Sequence, residues 1–158
     1  MKAMNRIVLL CLGLFFCIAA RAAEGLPPGV TLTNIDNVKW VKTISGREQA
    51  YIMGHPSKPG PYLYLVKWGP NEKALAHYHP EDRFGVVLRG VHYIGYGDKF
   101  DESKLHKHEQ GTFFNEPAKT AHFGMTKSEG AILYFYGMGP TGSTALEKLL
   151  AGDRKDKK

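Results

Sequence analysis

Short runs of strand-forming residues, separated by glycine and proline, make up most of the chain after residue 37. Turn-forming clusters such as Ser45-Gly46 and Lys58-Pro59-Gly60 stand between the runs. Many short strands with turn signals at even spacing predict an all-β sandwich or barrel. The predicted strands are 38–44, 49–53, 62–68, 73–77, 84–88, 91–96, 112–115, 121–126 and 131–137.

One short helix is predicted after the last strand. Thr144 and Glu147 have the spacing of a capping box, in which each side chain satisfies a backbone N–H at the start of a helix. Gly152 is a typical stop signal. The pattern therefore predicts a helix from Ala145 to Ala151, followed by a basic tail.

Two histidines, His77 and His79, with one residue between them, lie at the end of the strand predicted at 73–77 and just after it. Side chains two residues apart lie on the same face of a strand, about 6–7 Å apart. Imidazole is the commonest metal ligand among side chains. The pair can therefore hold one ion if a third ligand comes from elsewhere, and His122 is the candidate.

A second pair with the same spacing, His106 and His108, lies between the predicted strands. Its neighbours are Asp, Glu, Lys and Ser, without apolar periodicity. We therefore predict a surface loop over residues 97–110 and no metal site there.

The first 22 residues have the form of a signal peptide. Lys2 and Arg6 give a basic start, residues 7–19 an apolar run, and Ala20-Arg21-Ala22 a cleavage box. A retained membrane anchor is the alternative, but this apolar run is short for a bilayer span. We expect an exported protein, periplasmic or secreted, without membrane attachment after cleavage.

Cleavage changes the chemistry that the chain can offer. Both cysteines, Cys11 and Cys17, lie in the removed segment, so neither disulfides nor thiolates are expected afterwards. The net charge falls from +6 to +3, because three basic residues and no acidic ones are removed. No interleaving of basic and aromatic residues or helix-turn-helix pattern is present, so no nucleic-acid partner is expected.

Glycine and proline occur at characteristic distances from the histidines in two stretches of the chain. Gly69 precedes His77 by seven intervening residues, and six residues separate Arg83 from Gly90. A second stretch contains Gly111, Pro117 after five residues, His122, and Thr126 after three more. Together these two stretches resemble the two motifs of the cupin family.

The resemblance implies a double-stranded β-helix, the cupin jelly-roll barrel, over residues 38–142. The remaining segments would be the signal peptide at 1–22, an N-terminal leader at 23–37, and the short helix and basic tail at 143–158. It also implies one divalent transition metal, Fe, Mn, Ni, Zn or Cu, on His77, His79 and His122. Cupins often associate as homodimers, so a dimer is expected.

The chain departs from the family pattern where Arg83 replaces the motif glutamate, which is usually the fourth ligand. Arginine is always charged and does not bind metals. Three alternatives follow. The site uses three histidines alone, Glu81 or Asp82 turns in as a substitute carboxylate, or a metal-free site uses Arg83 to hold an anion. The other two departures, Lys119 and Thr126, belong to turns.

Two classes of function remain open from the sequence. The first is a metal-dependent enzyme of the dioxygenase, isomerase or lyase type, acting on a small molecule, for which an anionic group is one expectation. The second is a non-catalytic binding or sensing module. Arg83 is a candidate anchor for a carboxylate or phosphate. The candidate apolar pocket residues are Tyr64, Phe84, Tyr93 and Tyr136.

Overall fold

The computed structural model describes Gly25 and residues 27–147, which form an almost entirely β structure. Two short 3₁₀ helices, Ile35–Asn37 and Glu102–Lys104, are present, and no described helix is long and apolar enough to cross a membrane. The all-β prediction is confirmed. The strands are β1 (Val41–Lys42), β2 (Glu48–Met53), β3 (Gly60–Trp68), β4 (Lys73–Tyr78), β5 (Arg83–Tyr96), β6 (His106–Glu109), β7 (Phe113–Glu116), β8 (His122–Met125), β9 (Ala131–Gly139) and β10 (Thr144–Ala145).

Two antiparallel sheets share the long strand β5. Its first half pairs with β7 and β9, in a sheet ordered β1-β2-β3-β9-β5-β7. Its second half pairs with β6 and β8, in a sheet ordered β10-β4-β8-β5-β6. A strand that crosses from one sheet to the other brings residues of both motif stretches onto adjoining walls.

The crossing point lies near Gly90, between the two strands that were predicted at 84–88 and 91–96. The backbone there has a φ of 73°, and a side chain would collide with the carbonyl of Gly130. The register with β9 also shifts between Val87 and Arg89. The prediction of two separate strands is wrong here. The β-bulge at this register shift and Gly90 together bend one continuous strand.

The interior of the first sheet is built by alternate residues of β3. Tyr62, Tyr64, Val66 and Trp68 pack with Val87, Leu133 and Phe135 into one buried cluster. Burying each such side chain contributes roughly 1.5–3 kcal/mol relative to exposure. The aromatic face of this strand therefore forms core, and its Tyr64 and Trp68 also reach the cavity described below.

Two further predictions differ from the structure. Residues 106–109 are not a loop but strand β6, which pairs with the second half of β5. The predicted helix does not begin at Ala145, because Thr144 and Ala145 pair with Tyr78 and His77 as strand β10. Glu147 accepts hydrogen bonds from the backbone N–H groups of Phe100 and Ala76 instead of capping a helix. The rest of that prediction, residues 148–151, lies outside the described residues.

The chain separates into two compact units, residues 1–32 and 33–158. In the first unit the structure describes Gly25 and 27–32, with a turn in which the Val30 N–H donates to the Pro27 carbonyl. The predicted signal peptide at 1–22 and the basic tail lie outside the described residues.

Candidate metal centre

His77, His79 and His122 lie together on the inner wall of the second sheet. His77 in β4 is directly opposite His122 in β8, and their ring centroids are 4.5 Å apart. His79, just beyond the end of β4, has its ring centroid 5.1 Å from that of His77 and 5.4 Å from that of His122. One nitrogen from each ring lies within 4.8 Å of the others, close enough for a common ion.

Each of the three imidazoles is oriented by a hydrogen bond from Nδ1 to a backbone carbonyl. The acceptors are Leu75 O for His77 at 2.7 Å, Gly142 O for His79 at 2.6 Å, and Thr120 O for His122 at 2.9 Å. A carbonyl only accepts, so Nδ1 carries the hydrogen and the Nε2 lone pair remains free. Metal-binding histidines typically use their second nitrogen in this way.

Two of the three free nitrogens are buried and lack partners. Among the described residues, Nε2 of His79 and Nε2 of His122 have no hydrogen-bond partner. Such orphaned buried polar atoms are uncommon and need an explanation. Burial, followed by the nearby Arg83 charge, lowers the pKa of His79 to about 3. Burial also lowers the pKa of His77. Both rings are therefore neutral near pH 7, the protonation state that binds a metal.

Arg83 lies inside the barrel beside this centre but is not a free cation. Its Nε donates to Glu116 Oε2 at 2.9 Å, its Nη2 donates to the same oxygen, and its Nη1 donates to the Tyr64 hydroxyl at 3.2 Å. The Arg83 and Glu116 side chains are 7% and 4% exposed. All three guanidinium nitrogens thus have protein partners, and because Arg83 also lines the cavity, its role as an anion anchor stays a prediction.

Glu116 is the residue that the sequence reasoning missed. Its Oε2 lies 3.5 Å from Nε2 of His122. Burial is the largest single effect and would raise the pKa of this carboxyl, but the Arg83 charge, the Arg83 hydrogen bond and the neighbouring histidines together lower it. The sequence signal was weak: Glu116 immediately precedes Pro117 of the second motif stretch, and its pairing with Arg83 depends on strand register.

The two other candidate carboxylates face elsewhere. Glu81 accepts a hydrogen bond from the Tyr62 hydroxyl at 2.9 Å, and Asp82 accepts one from the Ala118 N–H at 2.8 Å. Neither lines the cavity next to the histidines. The metal-binding group among the described residues therefore contains the three histidines without Glu81 or Asp82.

A cavity of about 550 Å³ opens beside the three histidines. Tyr64, Arg83 and Glu116 contribute to its wall. The prediction that Phe84, Tyr93 and Tyr136 line it is wrong. Phe84 and Tyr136 pair with each other on the outer face of the first sheet, at 54% and 36% exposure. Tyr93 faces away as well, with Lys127 Nζ 4.6 Å from its ring centroid.

The turns of the second motif stretch form despite their unusual residues. Lys119 takes a φ of 57°, a conformation that normally favours glycine. The Thr126 hydroxyl donates to the Gly69 carbonyl at 2.6 Å and accepts from the Glu72 N–H at 3.2 Å. Thr126 thereby joins the start of the first motif stretch to the end of the second.

The other histidine pair, His106 and His108, belongs to no metal-binding group among the described residues.

Comparison with solved structures identifies the fold. A polyketide cyclase from Streptomyces resistomycificus is 14% identical, with a TM-score of 0.60 over 78% of this chain and 89% of the other. A protein with a double-stranded β-helix domain from Klebsiella pneumoniae is 14% identical, with a TM-score of 0.58 over 75% and 99%. A cupin-superfamily sugar phosphate isomerase from Silicibacter pomeroyi is 18% identical, with a TM-score of 0.55 over 73% and 81%.

These similarities confirm the predicted double-stranded β-helix and place the chain among cupin-like folds. No protein-family model matches the sequence, and no curated protein matches it either. Since one fold hosts many reactions, the fold alone does not assign an activity.

Proposed function

We propose that this cupin-fold protein is an exported metalloenzyme that acts on a small anionic molecule. The observation that carries the proposal is the shared orientation of three imidazoles, each held by a backbone carbonyl through Nδ1. The reaction would be of the dioxygenase, isomerase or lyase type.

The residues fit a divalent first-row transition ion. Three neutral imidazoles suit Fe, Mn, Ni, Zn or Cu. An ion would supply the partners that Nε2 of His79 and Nε2 of His122 lack. With three protein ligands, coordination positions stay open, as is typical of catalytic sites. When bound, such an ion acts as a Lewis acid that polarises a substrate oxygen or lowers the pKa of water.

The charges around the centre favour an anionic ligand. The three histidines contribute no negative charge, and Arg83 and Glu116 neutralise each other. The two positive charges of an ion would therefore remain uncompensated in a partly buried cavity, where electrostatic attraction is stronger than in water. A carboxylate or another anionic oxygen group is the natural counter-charge. The anchor is then the metal and not Arg83.

Glu116 and Tyr64 have supporting roles in this proposal. Because the adjacent Arg83 lowers its pKa, the Glu116 carboxylate is a weak base. We assign it to balancing the Arg83 charge next to the ion. Burial raises the pKa of Tyr64. Its hydroxyl therefore keeps its proton, and while it accepts from Arg83 it can still donate a hydrogen bond in the cavity.

Export rests on residues 1–22 alone. Their basic start, apolar run and small-residue box support passage into the periplasm or medium. The rest of the chain contains no cysteine, so an oxidising compartment would not alter it through thiol chemistry.

Metal analysis of the purified protein tests the proposal. We expect close to one transition-metal ion per chain in wild type, and little in the variant His77→Ala/His79→Ala. The matched control is His106→Ala/His108→Ala, which removes the other pair of the same spacing and should retain the metal. A protein that takes up no stoichiometric metal would contradict the enzyme proposal and favour the non-catalytic binding or sensing role.

A further inference from the structure

A second polar wall lies in the same cavity, apart from the three histidines. Trp68 and His92 both line the cavity, and their ring centroids are 4.6 Å apart. Trp68 Nε1 and both ring nitrogens of His92 are buried, and none has a hydrogen-bond partner among the described residues. Leaving a buried polar atom without a hydrogen-bond partner is unfavourable. Three such atoms on adjacent rings point to a missing partner.

Neighbouring side chains hold the Trp68 ring in place. The Arg47 guanidinium carbon lies 3.6 Å from the centroid of the indole ring. Arg47 is itself fixed, because its Nε donates to Glu72 Oε2 at 3.1 Å and its Nη2 to the Lys73 carbonyl at 3.0 Å. The indole N–H is therefore preorganised, and the charge of Arg47 is shared with Glu72.

Gly124 provides the room that His92 occupies. A side chain at this position would place Cβ 3.0 Å from His92 Nε2. Gly124 is two residues beyond His122 on β8, so both positions face the same side of the strand. Two residues of a strand span about 7 Å. The Trp68–His92 wall thus lies about 7 Å along the cavity from the metal ligands.

The available donors and acceptors define the group that would bind there. Trp68 offers one N–H donor. Burial lowers the pKa of His92 to about 3, so this ring is neutral and offers one N–H and one lone pair. A carboxylate only accepts hydrogen bonds and would leave that lone pair unused. A hydroxyl accepts from an N–H and donates to a ring nitrogen, so it matches the wall.

From this arrangement we propose that the Trp68–His92 wall is a subsite for a ligand hydroxyl, about 7 Å from the metal centre. The ligand class is a small hydroxy acid whose acidic end lies at the three histidines. The inference rests on the proposed function for the acidic end only. The hydroxyl subsite consists of Trp68 and His92 and does not depend on a bound metal.

The test compares carboxylates with and without a terminal hydroxyl on zinc-loaded protein. The hydroxylated probes are 4-hydroxybutanoate, 5-hydroxypentanoate and 6-hydroxyhexanoate, and each is paired with the unsubstituted acid of the same chain length. At the best-fitting length we expect the hydroxyl to tighten binding by about threefold to tenfold, the contribution of one hydrogen bond. Equal affinities for both members of every pair would overturn the proposal.

The two tryptophans of the chain allow a direct readout on the unmodified protein. Only Trp40 and Trp68 contribute indole N–H signals in a ¹⁵N correlation spectrum, and Trp40 does not line the cavity. The hydroxylated probe should shift the Trp68 signal more than the unsubstituted acid does, and leave the Trp40 signal in place. A Trp68 signal that responds equally to both probes would count against the subsite.

Variants separate this inference from the metal proposal. Trp68→Phe and His92→Phe should abolish the advantage of the hydroxylated probe, whereas Trp40→Phe should preserve it. Zinc binding is measured on the same samples. Failure of wild type to bind zinc would contradict the metal centre, and the Trp68 shift would then be sought in metal-free protein at higher probe concentration. Zinc binding without any hydroxyl effect would contradict the subsite alone.

Discussion

Arg83 and Glu116 lie directly opposite each other on β5 and β7, and they form a buried ion pair beside the three histidines. In the resembled motif a glutamate stands at the position of Arg83, so an arginine there could be expected to repel a metal ion. The pairing with Glu116 removes that difficulty. The positive charge does face inward, but a carboxylate on the neighbouring strand neutralises it. A dication next to the histidines therefore meets an ion pair and not an isolated cation.

Breaking this pair from one side should destabilise the fold strongly. Arg83→Met leaves the Glu116 carboxylate buried without a partner, which costs about 3–5 kcal/mol in comparable buried pairs. The double variant Arg83→Met/Glu116→Leu removes both charges and should recover most of that loss. Urea unfolding of the metal-free proteins measures both effects. A single variant no less stable than the double one would contradict the assignment.

Moving the carboxylate to the motif position should strengthen metal binding. In Arg83→Glu/Glu116→Gln the new carboxylate stands where the resembled motif has its fourth ligand, and no second carboxylate opposes it. We expect metal affinity to rise by more than about tenfold, because a cation is replaced by an anionic ligand. Titration calorimetry with Ni and Zn measures this, with Glu116→Gln as the control. Equal affinities of control and double variant would refute the expectation.

His92 should make the folded protein sensitive to acid. Burial lowers its pKa to about 3, below the value of about 6.5 in an unfolded chain. The unfolded chain therefore takes up the proton first, so the stabilisation is complete above about pH 6.5 and declines toward pH 3. This group alone contributes a slope of about 1.4 kcal/mol per pH unit within that window.

Chemical unfolding of metal-free protein between pH 4 and pH 7 measures the slope. His92→Phe should reduce it by roughly the contribution of one proton. An unchanged slope in this variant would mean that other groups account for the acid sensitivity.

Export should be followed by cleavage near Ala22. The basic start, the apolar run and the Ala20-Arg21-Ala22 box motivate this expectation. Intact mass measured on protein from the envelope or periplasmic fraction should lack about the first 22 residues. Replacing Ala20 and Ala22 with bulky residues should block processing. Recovery of the full-length mass from wild type would argue for a retained segment.

A homodimer is expected in solution, and the outer face of the first sheet offers a surface for it. Met53, Leu63, Tyr136 and Phe84 follow one another in register across β2, β3, β9 and β5. Exposed apolar rows of this kind are typical of interaction sites. Light scattering should give twice the mass of the processed chain, and Phe84→Glu should give the monomer mass. A monomeric wild type would contradict the expectation.

The three histidines could be anticipated because their positions depend on local rules. Two residues of one strand share a face, and the resemblance of the glycine and proline spacing to the cupin motifs implied which distant histidine would join them. The turn at Lys119 formed as expected even without glycine. Such features are encoded within a few neighbouring residues of the sequence.

The register between paired strands could not be predicted from the sequence in the same way. The wrong orientation of Phe84 and Tyr136 and the omission of Glu116 both follow from this. Tyr64 faces inward and pairs with Phe135, so Tyr136 and its partner Phe84 necessarily face outward. The choice between Phe135 and Tyr136 depends on a single residue of register. Glu116 was missed for the same reason, since only the β5–β7 pairing places it opposite Arg83.

The carbonyl that orients His79 differs in kind from the other two. His77 and His122 each donate to a carbonyl two residues earlier in the chain, whereas the partner of His79, Gly142, is 63 residues away. Two ligands are thus aligned as soon as their own strands form. The third is aligned only when the segment around Gly142 and β10 docks beside β4. Because this contact closes a loop of more than 60 residues, metal uptake at full affinity would report that the segment around Gly142 has docked.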